Sequence, residues 1–265
     1  MVPSPRPSSN RVAPGLFLLA LGCGALSASP ARADSFADAK AKGAQAVLAE
    51  SDRLTNHYAT QQWKMRMTIT PKGGEARVLE LRVWQKDQKD RLVRFDAPGE
   101  VNGLSMLSSG KDVMYVYSPQ TDNVRRVASH AKRQTLLGSN LSYDDMASID
   151  LADAYDATFG DEEAGHQWLV LKKKADAEVG WDTLKVRIDE KTLIADEIDY
   201  LDGGQVKRVQ SRDHFEVLDG VPTYRRIQMK SLDDGLVTTL EVLDQKIGLD
   251  LPDAMFKKKN LVRGG

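Results

Sequence analysis

The chain has 265 residues, 28% of them charged, with 37 basic side chains against 38 acidic ones and a single cysteine, Cys23. A balance without a basic surplus argues against a nucleic-acid partner. One cysteine excludes intrachain disulfides and cysteine-ligated metal clusters.

Residues 1–33 read as a cleavable secretory signal. Arg6 and Arg11 supply the positive start, residues 12–26 the apolar run, and Ala31-Arg32-Ala33 the small-residue cleavage site. That run is too short to span a bilayer and no stop-transfer pattern follows it. Lipidation at Cys23 is the rival reading, although Ala20-Leu21-Gly22-Cys23 sets the leucine one place too close to the cysteine. Cleavage after Ala33 leaves 34–265 as one domain without cysteine. Losing Arg6, Arg11 and Arg32 takes 37 basic residues to 34 against 38 acidic, a net charge of −4. A core of that size has to hold without disulfides.

Alanine-rich residues 35–58 predict the first helix, with Phe36, Ala39, Val47, Leu54 and Tyr58 on one stripe and Gly43 weakening its middle. Such a helix serves as a lid over an open sheet face, or as an ordinary amphipathic helix on a core. From Trp63 the period becomes two: Trp63, Met65, Met67 and Ile69 oppose Lys64, Arg66 and Thr68, and Leu79, Leu81 and Val83 continue the pattern after a turn at Pro71. Short strands follow at Leu92–Phe95, Leu104–Leu107, Val113–Tyr117 and Val124–Val127. The unbroken apolar run at 113–117 predicts a strand covered on both faces. Gly138-Ser139-Asn140 breaks the strands, and Ser142-Tyr143-Asp144-Asp145 has the form of a capping box opening a short helix. Strand patterns resume at Trp168–Leu171 and are clearest at Leu184, Val186 and Ile188. Asp202-Gly203-Gly204 marks a tight hairpin, and further strands run to about Ile247. Pro252 and Phe256 lead into a solvated tail carrying Lys257-Lys258-Lys259. The total is about eleven antiparallel strands, mainly β, with one helix before them and one inserted. A run of that kind has to curl into an incomplete barrel with helices over its concave face.

Chemistry-bearing residues are sparse. His57, His130, His166 and His214 lie too far apart for metal-ligand spacing. Ser105, Ser139 and Ser142 lack a nucleophile elbow. Asp144-Asp145 reads as a helix cap and Asp161-Glu162-Glu163 as a solvated loop, and no glycine-rich phosphate loop is present. No catalytic residue, metal or cofactor is therefore expected. What remains is apolar surface rich in methionine, which suits variable greasy ligands but also ordinary cores. Trp63, Met65, Met67, Leu81, Val83, Phe95, Met106, Met114 and Val116 are the candidate wall of a hydrophobic cavity. Burial of a 16-carbon acyl chain at about 0.8 kcal/mol per methylene supplies on the order of 10 kcal/mol, so such a cavity needs no reactive group.

The motifs assembled here resemble the outer-membrane lipoprotein-sorting family, the LolA-like carriers. The resemblance rests on Trp63-x-Met65, Arg91-Leu92-Val93-Arg94-Phe95 with Pro98, and Met114-Tyr115-Val116-Tyr117-Ser118-Pro119. It continues through Val124-x-Arg126, Gly138-Ser139, Ser142-Tyr143-x-Asp145 and the late Gly-Gly hairpin. It implies a non-enzymatic, monomeric carrier in the Gram-negative periplasm, binding acyl chains of lipoprotein or lipid. It also implies loading from an inner-membrane transporter or exporter and delivery toward an outer-membrane acceptor. Arg91, Arg94, Arg125 and Arg126 are all available for a gating arginine, and none is singled out. A sensor of lipid or envelope stress that binds a signalling partner is the alternative.

Overall fold

The alternation that begins at Trp63 lasts through most of the chain, and in the computed structural model it produces one sheet. The structure describes residues 35–110, 113–147, 150–218 and 221–262; the signal segment, its cleavage site and Cys23 lie outside them. The strands are β1 (Thr60–Thr70), β2 (Arg77–Lys86), β3 (Asp90–Ala97), β4 (Ser105–Ser109), β5 (Val113–Ser118) and β6 (Asn123–Arg126). A second run comprises β7 (Tyr155–Glu163), β8 (His166–Lys173), β9 (Thr183–Asp189), β10 (Ala195–Asp202), β11 (Gln205–Leu218), β12 (Val221–Ser231) and β13 (Val237–Ile247). All pair antiparallel in the order 6-5-4-3-2-1-13-12-11-10-9-8-7. Every neighbour is also the next strand in sequence except β1 and β13, which join the two runs through pairs such as Met65↔Val242 and Met67↔Leu240. The meander is thus closed at its ends and cut in its middle, between β6 and β7. It is an incomplete barrel.

Thirteen strands replace the expected eleven or so. The acidic stretch Asp161-Glu162-Glu163, expected as a solvated loop, is the end of β7, with Glu162 opposite Gln167 and Glu163 opposite His166. Its polarity reflects its place: β7 is an edge strand, exposed along most of its length. The expected hairpin at Asp202 is present, with Gly203 and Gly204 at φ 55° and 81°, as a two-residue turn of that hand requires.

Period two sorts the side chains onto two faces. Val83, Val93, Met106, Met114 and Val116 point to the concave side and join the main core. Trp84, Leu92, Leu107, Tyr115 and Tyr117 point outward into a second cluster. That cluster corrects the expectation of a solvated tail. Leu251, Phe256 and Leu261 fold back over the outer face in 3₁₀ turns at Asp253–Phe256 and Lys258–Asn260, leaving Lys257, Lys258 and Lys259 exposed between the anchors. The run at 113–117 is apolar because both of its faces are covered.

The predicted first helix is two: α1 (Phe36–Ala41) and α2 (Ala44–Thr55). Gly43 sits at φ 108°, outside helical space, and breaks the helix there. α2 buries Ala44, Val47, Leu48, Ser51 and Leu54 against the core. Its other face carries Gln45, Asp52 and Asn56. Gln45 accepts from Ala157 N at 2.8 Å and donates to Tyr155 O at 3.2 Å, satisfying the free edge of β7 as a neighbouring strand would.

Candidate functional site

Residues 127–147 and 150–154, between β6 and β7, cross the concave face and close most of it. Leu137 and Gly138 turn the chain at φ 54° and 77°, letting Leu136 and Leu141 both face inward. Asn140, at the tip, donates through Nδ2 to Met229 O (3.0 Å) and Leu236 O (2.9 Å), and its backbone N donates to Thr238 Oγ1 (3.3 Å). Helix α3 (Tyr143–Ala147) follows with the expected capping box. Asp145 accepts from Ser142 N (2.6 Å) and Oγ (2.7 Å), and Ser142 Oγ accepts from Asp145 N at 3.2 Å.

The same carboxylate is held from the sheet. Arg208 on β11 reaches Asp145 with Nη1 (3.0 Å) and Nη2 (3.2 Å) and donates to Asn140 O at 2.6 Å. Both side chains are below one-tenth exposed, and the guanidinium lies between the rings of Trp181 (4.7 Å) and Tyr200 (4.5 Å). Asp144 is used locally, accepting from Gly180 N at 2.9 Å, and burial raises its pKa. The acidic pair is therefore structural in its contacts.

α2 is pinned across the opening by polar contacts. Asp52 accepts from Ala152 N (2.7 Å) at the start of α4 (Leu151–Ala154), and Asn56 donates to Asp150 Oδ1 (2.8 Å). Burial pushes the Asp52 carboxyl up to about 7, and Asp150 nearby raises it too, against the lowering bond from Ala152.

Between these covers and the sheet lie two adjoining cavities. The larger, 260 Å³, has greasy walls of Trp63, Met65, Val83, Leu141, Leu240 and Val242, with Arg91 and Arg212 among its polar lining. The smaller, 110 Å³, runs under α2 beside Trp181, Ile198 and Tyr200, and shares Thr55, Asp145, Gln210 and Arg212 with the first. A third space of 410 Å³, beside α4 and β5, is lined mainly by acids (Asp87, Asp144, Asp150, Asp153, Asp176 and Glu178) together with Lys89 and Lys132, and touches Met114.

Of the nine candidate wall residues, all lie on the concave face. Trp63, Met65 and Val83 line the 260 Å³ cavity and Met114 the acidic space. Met67, Leu81, Phe95, Met106 and Val116 are at most 3% exposed and form packed floor beneath them. The opposite wall was not anticipated: Leu141 from the crossing segment, and Tyr224, Ile227, Leu240 and Val242 from β12 and β13. Alternation in those strands was visible, but their approach to β1 across some 175 residues is a product of the β1–β13 pairing. Among the described residues no group of acidic, histidine or cysteine side chains is arranged to hold a metal ion. Nor is any helix there long and apolar enough to cross a membrane.

Solved structures, one of them described as a LolA superfamily protein, share the fold of this open antiparallel half-barrel. A protein described as an outer membrane lipoprotein-sorting domain from Vibrio parahaemolyticus superposes with a TM-score of 0.75 at 20% identity, over 84% of this chain and 99% of that one. A DUF1329 family protein from Desulfovibrio piger gives 0.76 at 24% identity, over 84% and 98%. A LolA superfamily protein from Nitrosomonas europaea gives 0.70 at 19%, over 82% and 98%. No curated protein matches the sequence. A protein-family model described as "Uncharacterized protein" matches residues 87–263, and the chain belongs to that family.

Proposed function

We propose that this protein is a non-enzymatic carrier that takes up the acyl chains of a lipid or lipidated protein in the cavity beneath α2 and the crossing segment. The observation that carries the reading is the 260 Å³ cavity, walled by apolar side chains of the sheet and roofed by elements that pack on it through apolar side chains and are positioned by polar bonds. Its volume sits just under the ~300–1,000 Å³ typical of small-molecule sites. A long acyl chain therefore enters by displacing part of the cover, Leu141 and Met146 of the crossing segment being the apolar groups it would replace. The periplasm is the compartment that suits such a carrier, with an inner-membrane transporter or exporter as donor and an outer-membrane acceptor as destination. The solved structure described as an outer membrane lipoprotein-sorting domain shares this fold and supports a sorting role.

The test is binding of a fluorescent fatty acid to purified wild type and to Val242→Trp. Val242 is half-buried at the cavity wall, so an indole there fills space without burying a charge. Excluding two methylenes at about 0.8 kcal/mol each costs roughly tenfold in affinity. Equal binding by a folded Val242→Trp variant, or none by wild type, would overturn the proposal.

A further inference from the structure

Three arginines approach the concave cavities, and their partners differ. Arg208 is neutralised by Asp145. Arg91 is engaged by Gln85 Oε1 at 2.8 Å and Met146 O at 3.3 Å. Arg212 on β11 lines both the 260 Å³ and the 110 Å³ cavities, and its hydrogen-bond partners are neutral. It donates to Ala195 O at 3.3 Å. With the Gln210 amide turned to satisfy its neighbours, Gln210 oxygen accepts from Arg212 Nε (3.0 Å) and Nη2 (3.1 Å), while its nitrogen donates to Tyr200 Oη. Among the described residues, no carboxylate makes an ion pair with Arg212. Arg212 is half-buried, and a guanidinium partly withdrawn from water without a close counter-charge favours a site that an anion can complete.

Resting on the carrier reading above, we infer that the cargo is an anionic amphiphile whose carboxylate or phosphate head is received by Arg212. The tail would lie along Trp63, Met65, Leu240 and Val242. Cation and greasy wall belong to one cavity, so a single molecule with a charged head and an apolar tail satisfies both. The charges that Arg212 feels are those of Asp52 and Asp196, with the Tyr200 and Tyr224 hydroxyls also close. Burial lowers the pKa of Arg212 and raises that of Asp52 to about 7. Near neutral pH a share of the Asp52 population is therefore uncharged, which leaves Arg212 still less compensated. A guanidinium presents paired donors to either oxyanion, so carboxylate and phosphate share this chemistry.

The experiment compares dodecanoate, dodecyl phosphate and dodecanol, titrated into wild type, Arg212→Met and Arg212→Lys and followed by tryptophan fluorescence, with Trp63 in the cavity wall as reporter. Wild type should bind both anions roughly 10- to 100-fold more tightly than the alcohol, the range for a hydrogen-bonded charge. The more tightly held anion identifies the head group. Arg212→Met should erase the preference while keeping affinity for dodecanol, and Arg212→Lys should retain part of it. Equal wild-type affinity for alcohol and anions, or an undiminished preference in folded Arg212→Met, would overturn the inference and leave the carrier reading standing. Wild type that binds none of the three overturns the carrier reading, and the inference with it. If Arg212→Met does not fold, the wild-type comparison and Arg212→Lys decide.

Discussion

Replacing Arg208 with methionine should release the crossing segment from the sheet. Methionine keeps much of the arginine's apolar stem and gives up the guanidinium with its place beside Trp181 and Tyr200. It removes the two bonds to Asp145 and the 2.6 Å bond to Asn140 O. Asp145 then stays buried with only Ser142 N and Oγ as donors. Stranding one partner of a buried pair costs about 3–5 kcal/mol, a large fraction of the 5–15 kcal/mol that holds a typical domain. Urea denaturation should show that loss. Amide exchange should show residues 138–147 losing protection before the sheet does, since what remains is the Asn140 contacts, single bonds at Tyr143, Asp144 and Met146, and a few apolar side chains. Arg208→Met combined with Asp145→Leu removes the stranded charge and should recover part of the loss, giving a coupling of about 2 kcal/mol or more between the two sites. A loss below about 1 kcal/mol would refute the reasoning, because it would mean the pair is screened as an exposed one is. So would additive single and double changes.

Two further predictions concern the helices. Gln45→Ala strips the β7 edge of the acceptor that serves Ala157 N and the donor that serves Tyr155 O. It should cost about 0.5–1.5 kcal/mol in urea denaturation and raise aggregation measured by light scattering, whereas unchanged values on both would show that water serves the edge equally well. Asp52→Asn should flatten the pH dependence of stability. With its folded pKa raised to about 7 from 3.8, the carboxyl holds a proton in the folded state that the unfolded chain has lost. Stability from this group therefore falls as pH rises from about 4 to 7 and is flat above. The penalty reaches on the order of 4 kcal/mol at pH 8. Melting curves at pH 5 and pH 8 should show the wild type losing more than Asp52→Asn between them; parallel losses would contradict the assignment.

How far the fold was legible depends on where each residue lies relative to water. Leu184, Val186 and Ile188 have polar neighbours and a covered inner face, so alternation announces β9. Tyr155–Glu163 has almost no buried face, so the period-two signal is missing and β7 reads as loop. The helix break came down to one φ angle at Gly43, weighed in the sequence only as a weak point. Leu251, Phe256 and Leu261 are too few and too widely spaced to form a pattern, and only the greasy outer faces of Trp84, Leu92 and Leu107 give them a place. The candidate wall was half visible for a related reason. Residues on one concave face can be picked out by alternation, but whether each meets a cavity or a neighbour is decided by what lies across from it. Met67 meets packed core and Met65 meets space, two positions apart on the same strand. Arg208 and Arg212 gave no signal at all, because an arginine in a strand looks solvent-exposed until the segment that covers it is known.

The position of the sheet's cut follows from the same geometry. The chain leaves the sheet at β6, covers the concave side with residues 127–147 and 150–154, and re-enters at β7, so the opening and its cover are made by one stretch of sequence. That stretch and α2 meet the rest of the protein in two ways. Their apolar side chains, Val47, Leu48, Leu54, Leu136, Leu141 and Met146, fill the concave core, while polar bonds from Gln45, Asp52, Asn56, Asn140 and Asp145 set where they sit. Apolar contacts are non-directional and roughly proportional to area, so an acyl chain can replace some of them at little net cost. The polar bonds are directional and local, so they restore one closed arrangement once the chain leaves. A cover built from both kinds of contact can yield to a greasy ligand without losing its register. A cover held by apolar burial alone would have no preferred place to return to, and one held by polar bonds alone would leave a wet cavity with nothing to exchange.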